Sequence, residues 1–168
     1  VDIFAIDPGN EFSAYSILRD CKLVDFGKIK NEDLFSHLRL RCRDHDPYKQ
    51  NGENVNFAIE MVACYGMAVG KEVFETCVWI GRFDQYIRTN YFVVPERIYR
   101  TEVKMNMCHD SRAKDKNIRQ AVIDRLGPQG TKKNPGATYG VSADVWQAVA
   151  VGITYLDWRN GEFTRKTN

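Results

Sequence analysis

Residues 1–19 read VDIFAIDPGNEFSAYSILR. The apolar run ends on Asp7, Pro8 and Gly9 supply a turn, and residues 11–19 alternate apolar and polar, so the stretch predicts a strand over 1–7 hairpinned to a second one. Working outward, residues 22–29 predict a third strand. Leu34, Leu38 and Cys42 recur at helical spacing over 33–43 with Asn31 as the cap, and the polar run 44–54 reads as a loop. Residues 55–60 predict a fourth strand, apolar until its last residue, Glu60. A helix over 70–88 presents Val73, Phe74, Cys77, Val78, Ile80, Phe83 and Ile87 on one broad face. Residues 91–94 predict a fifth strand stopped by Pro95. Residues 114–126 predict a helix with Ile118, Ala121, Val122 and Leu126 inward, ended by Gly127. The segment GTKKNPGATYG, 130–140, reads as a mobile Gly/Pro/Lys loop, and Ser142 caps a last helix running to about Trp158. A hairpin followed by alternating strands and helices predicts an α/β fold, a mixed five-stranded sheet flanked by helices.

The chain has 168 residues, 43% of them hydrophobic, enough for one domain over 1–168 with its own core. No apolar run approaches the roughly 20 residues that span a bilayer, and the first residues read as strand and turn rather than as a basic signal. A soluble, cytoplasmic protein without a membrane partner is expected. The cysteines, Cys21, Cys42, Cys64, Cys77 and Cys108, are odd in number and lack zinc-like spacing, so reduced and mostly buried thiols are expected. Net charge is only +2, but ten basic residues against four acids fall between Arg97 and Lys133, leaving a net negative remainder.

Three acids stand at related places: Asp7 at the end of the first strand, Glu60 at the end of the fourth, and Asp144 in the first turn of the last helix. Each has a plain reading. Asp-Pro-Gly is an ordinary turn sequence, a charge at a strand end can form a salt bridge, and an acid in a first helical turn is favoured by the helix dipole. Glu60 nevertheless lies between Ile59 and Met61, where an unpaired carboxylate is costly. The helix after Asp144 is apolar nearly all round and must be buried, which puts Asp144 on the core side. Converging carboxylates would repel one another unless a cation neutralised them. Magnesium, with manganese as its substitute, takes such oxygen ligands and keeps open positions for phosphate.

AIDPGN at 5–10, AIEMV at 58–62 and SADVWQAVAVG at 142–152 together resemble the RuvC-type Holliday-junction resolvases of the ribonuclease H-like nuclease superfamily, and the similarity looks closest to the phage and prophage branch. The resemblance spans nearly the whole chain. It implies that Asp7, Glu60 and Asp144 bind metal, and that Lys104 in TEVKMN and Lys116 in AKDKNIRQAVI lie near the scissile phosphate, with Lys114 as rival to Lys116. It further implies a homodimer that nicks two opposed strands of a four-way DNA junction by two-metal phosphodiester hydrolysis, in recombination and repair.

One departure is clear. Where cellular members often carry a further acid or histidine, three residues before the last aspartate, this chain has Val141. Three carboxylates suffice, or His109 or Asp110 takes that part; the first is favoured. The loop ACYGMAVG at 63–70 also differs, and Tyr65 or Met67 is a candidate wedge at the junction crossover, with core packing the plainer explanation for Met67. Arg112, Lys114, Arg119, Lys132 and Lys133 are expected to meet DNA phosphates, against the alternative of a solvated charged face. Rival functions are a broader branched-DNA nuclease, a non-catalytic junction-binding protein and, least favoured, an actin-like ATPase, which normally needs two related domains.

Overall fold

The sheet is built from alternation. In a computed structural model that describes residues 2–42, 55–64, 66 and 68–165, strand β1 (Asp2–Asp7) sends Ile3 and Ala5 to one face and Phe4 and Ile6 to the other, as the two-residue repeat of a strand requires. Strands β2 (Phe12–Arg19) and β3 (Lys22–Lys30) complete an antiparallel meander with β1. Strand β4 (Val55–Met61) then pairs parallel to β1, and β5 (Glu96–Tyr99) parallel to β4, giving the order β3-β2-β1-β4-β5. This is the mixed five-stranded sheet expected.

Helices cover both faces. On one side α1 (Asn31–Arg41) and α2 (Lys71–Tyr91) pack Leu34, Leu38, Trp79, Ile80, Phe83 and Ile87 against Phe4, Phe57 and Ile59. On the other lie α3 (Arg100–Cys108), α4 (Asp115–Leu126) and α5 (Val145–Arg159). Helix α5 is buried at every residue from Val145 to Asp157, as its apolar sequence demands. It sits so close to the sheet at Gly152 that a Cβ there would meet Leu18 Cδ1 at 2.6 Å, which explains a glycine in mid-helix despite its poor propensity.

Four expectations are corrected. The fifth strand does not occupy 91–94: α2 continues to Tyr91, whose ring packs 5.0 Å from that of Phe57, and Phe92 leaves the helix at φ 55. Pro95 precedes the strand rather than stopping it. The buried face of α2 is also rotated from the one expected, leaving Phe74 62% and Val78 61% exposed and Cys77 at the surface. The thiols are not mostly buried, because only Cys42 is so, with Cys21, Cys64 and Cys77 exposed. Finally, the 130–140 loop is internally bonded: Gly130 bridges Pro135, the Thr131 N–H donates to Asn134 O at 2.9 Å and the Gly136 N–H to Gln129 O at 2.9 Å. Lys132 and Lys133 are exposed on it.

Candidate active site

Parallel pairing of β1 with β4 sets Ile6 opposite Ile59, so Asp7 and Glu60 are the next residues along adjacent strands. Past Asp7 the chain turns tightly: a Cβ at Gly9 would lie 2.4 Å from Phe12 O, and the Gly9 N–H donates to Ser13 Oγ at 3.3 Å. Asn31 closes this turn from behind, accepting from Ser13 Oγ at 2.6 Å and donating to Gly9 O at 2.9 Å. Asn31 therefore holds the Asp7 turn rather than capping α1, whose N-cap is Lys30.

Asp7 and Glu60 hydrogen-bond through their carboxyl groups. Burial raises the pKa of Asp7 well above the usual carboxylate value, and the charges of Glu60 and Asp144 add to the rise while Arg100 opposes it. Burial also raises Glu60, with Arg100 and the bond from Asp7 pulling the other way. Both carboxyls therefore resist ionisation more than free ones would.

Arg100 is the counter-charge. It is the first residue of α3, whose start is secured by Glu102 accepting the Tyr99 N–H at 2.7 Å. Its Nη1 donates to Glu60 Oε1 at 3.2 Å and Oε2 at 3.4 Å, and its Nη2 to Asp115 Oδ1 at 2.6 Å. Burial works against the guanidinium charge, but Glu60 and Asp115 outweigh it and its pKa is raised. Asp115 opens α4, where a carboxylate also meets the helix dipole.

Asp144 approaches from the opposite wall. Ala143, in the left-handed region at φ 45, turns the chain into α5 with Asp144 as N-cap, a conformation costly for a residue with a Cβ. Asp144 is near enough to raise Asp7, yet its carboxylate is exposed and bonds Lys28 Nζ on β3 at 2.5 Å. Among the described residues, no three Asp, Glu, His or Cys side chains converge closely enough to hold an ion as they stand.

These groups border an open cleft of about 780 Å³, lined among others by Asp7, Arg100, Lys116, Arg119, Asp144 and Gln147. Arg119 lies over the Trp146 ring, 5.3 Å from its centroid, and donates to Gln129 Oε1 at 2.9 Å. Lys116 lines the cleft, whereas Lys104, one turn into α3, is not among its lining residues. Lys114 is the N-cap of α4, and Arg112 is exposed beside Asp110, 3.8 Å away. His109 and Asp110 are exposed beyond the end of α3. Val141 is buried, and its carbonyl accepts from Gln129 Nε2 at 2.9 Å. Tyr65 and Met67 lie outside the described residues. Arg100, Asp115, Gln129 and Gln147 are polar cleft residues that the sequence alone did not single out.

The arrangement suits a hard divalent cation. Its donors are all oxygens, the repulsion between two adjacent carboxyls would be offset by a dication, and a third carboxylate stands across the cleft.

No family model matches the sequence, and no curated protein does. Solved structures do. A Thermus thermophilus RuvC structure superposes with a TM-score of 0.66 at 14% identity, covering 97% of this chain and 98% of that one. The T. thermophilus RuvC in complex with a Holliday junction substrate gives 0.69 at 12% identity, covering 96% of each chain. The chain has the RuvC fold, a ribonuclease H-like architecture.

Proposed function

We propose that this chain is a divalent-metal-dependent endonuclease for branched DNA, four-way junctions foremost, built as a single nuclease domain related to the phage and prophage resolvases and working in the cytoplasm. The observation that carries this reading is the adjacent Asp7–Glu60 carboxyl pair, Glu60 buried and Asp7 half-buried on the wall of a cleft that Arg100, Lys116 and Arg119 also line. A structural ion pair would have no need of two carboxyls side by side that repel one another once ionised. A metal site does.

In this reading Asp7, Glu60 and Asp144 hold magnesium, or manganese in its place. Bound there, the metal would supply activation of the attacking water and stabilisation of the leaving 3′-oxygen. The residues of the chain do the rest. Asp144, paired here with Lys28, would help to hold the ion, and Arg100, docked on Asp115, balances the charge of Glu60. Lys116 and Arg119 fix the phosphate backbone from the α4 side, and Lys132 and Lys133 extend that contact. Such contacts are salt-sensitive and carry no base specificity. A homodimer gives two sites for two opposed strands, and the exposed Phe74 and Val78, one turn apart on α2, are apolar surface of the kind that a second copy would cover.

The test is to incubate the protein with magnesium and with four-way, flap and linear DNA, then map the nicks. Paired symmetric nicks on the four-way substrate are expected. Equal cutting of flaps would support the broader nuclease, and tight junction binding without nicks the non-catalytic reading.

A further inference from the structure

We infer that Gln147 is a positioning residue of the cation site, its amide turning so that its oxygen, enclosed without a partner here, accepts a hydrogen bond from a water in the hydration shell of the bound ion. This rests on the metal-dependent reading above and concerns a residue that the resemblance does not assign.

Gln147 lies one turn beyond Asp144 on α5 and borders the same cleft as Asp7, Arg100 and Asp144. It is 6% exposed, and its Oε1 is buried with no hydrogen-bond partner. Leaving a buried acceptor unsatisfied is destabilising, and native structures rarely tolerate it without a reason. The surroundings show how such groups are otherwise treated. Thr154, further along α5, accepts from Asn106 at 3.4 Å, Asp157 is held by Arg125 and Asn106, and Ser16 donates to Ala148 O at 2.9 Å. Every other residue from Val145 to Ile153 is apolar or glycine, so a leucine or methionine at 147 would continue the pattern without the cost.

The chemistry of the ion supplies the missing partner. Magnesium parts with its waters reluctantly, and each bound water points its hydrogens outward, so the wall around the ion needs acceptors. Val141 offers an apolar side chain and a carbonyl already used by Gln129. An amide oxygen adds an acceptor without another charge beside carboxyls that already repel one another.

The test measures Mn2+ binding by calorimetry and thermal unfolding in metal-free buffer, both without DNA, for wild type, Q147L, Q147E and D7N. Q147L should unfold at a higher temperature than wild type without metal, having lost the unpaired acceptor, and should bind Mn2+ about tenfold more weakly, the loss typical of outer-shell partners. Q147E should bind at least as tightly as wild type. Should Q147L not fold, Q147M carries the same expectation. Wild-type affinity in Q147L, with binding lost in D7N, would overturn this inference alone. Absence of saturable Mn2+ binding by the wild-type protein would overturn both it and the metal-dependent reading.

Discussion

Arg100 joins Glu60 to Asp115, its two terminal nitrogens lying 3.2 Å from Glu60 Oε1 and 2.6 Å from Asp115 Oδ1. One guanidinium thus ties the end of β4 to the start of α4 across the floor of the cleft. Because its side chain keeps some solvent contact while Glu60 is nearly buried, R100Q should lower metal-free stability at pH 8 by about 1–3 kcal/mol, less than a fully buried pair would lose. Added Mn2+ should then stabilise R100Q more than wild type. Equal shifts in thermal unfolding would mean that Arg100 does not stand in for the ion's charge.

The raised pKa of Asp7 gives a pH signature. With the folded value above the unfolded one, the unfolded state releases the proton first as pH rises, so stability is complete below the unfolded value of about 3.8 and is lost as pH climbs through the folded value. Metal-free wild type should therefore gain stability on mild acidification from neutral pH. D7N should be more stable than wild type at neutral pH, should lose that part of the pH dependence, and should not cleave. Cleavage at the wild-type rate would remove Asp7 from the site.

Two lysines separate by position. Lys116 lines the cleft and Lys104 does not, so K116A should slow single-turnover cleavage by about 100-fold, the order lost with one transition-state donor, and K104A by much less. The reverse ranking would move the scissile phosphate towards α3.

Lys132 and Lys133 are exposed on a loop closed by its own hydrogen bonds. If both neutralise phosphates, the double alanine variant should flatten the slope of log affinity against log salt by about 1.8. Junction affinities measured between 50 and 200 mM salt will show it, and an unchanged slope would assign them to a solvated face.

Phe74 and Val78 should matter only in assembly. F74E should convert a dimer to a monomer in analytical ultracentrifugation while leaving metal-free unfolding nearly unchanged, since an exposed side chain contributes little to the fold. A monomeric wild-type protein at tens of micromolar would place the two-fold contact elsewhere or remove it.

What could be read before the structure was the part written in periodicity. Apolar runs marked β1, β4 and α5, and alternation marked β2. The fifth strand follows Pro95 instead of ending at it, since a residue without an N–H serves equally well before a strand as after one. Helix α3 escaped because only Val103 and Met107 of its nine residues are buried, too few to print a helical repeat. Arg100 and Asp115 were invisible for another reason: their bonds join residues 40 and 15 positions apart, and no local pattern encodes such distances. Gln147 did leave a signal, a polar residue inside VWQAVAVG, the same kind of embedded oddity that drew attention to Glu60.

The register that places Asp7 beside Glu60 also sets when the site comes into being. The β1–β4 ladder is parallel and joins segments separated by β2, β3 and α1, so closing it incurs the loop entropy of a non-local contact and comes late relative to the local hairpin. A chain with only its meander formed has Asp7 but no Glu60 next to it. In the proposed nuclease, the carboxylate pair is thereby withheld from partly folded molecules.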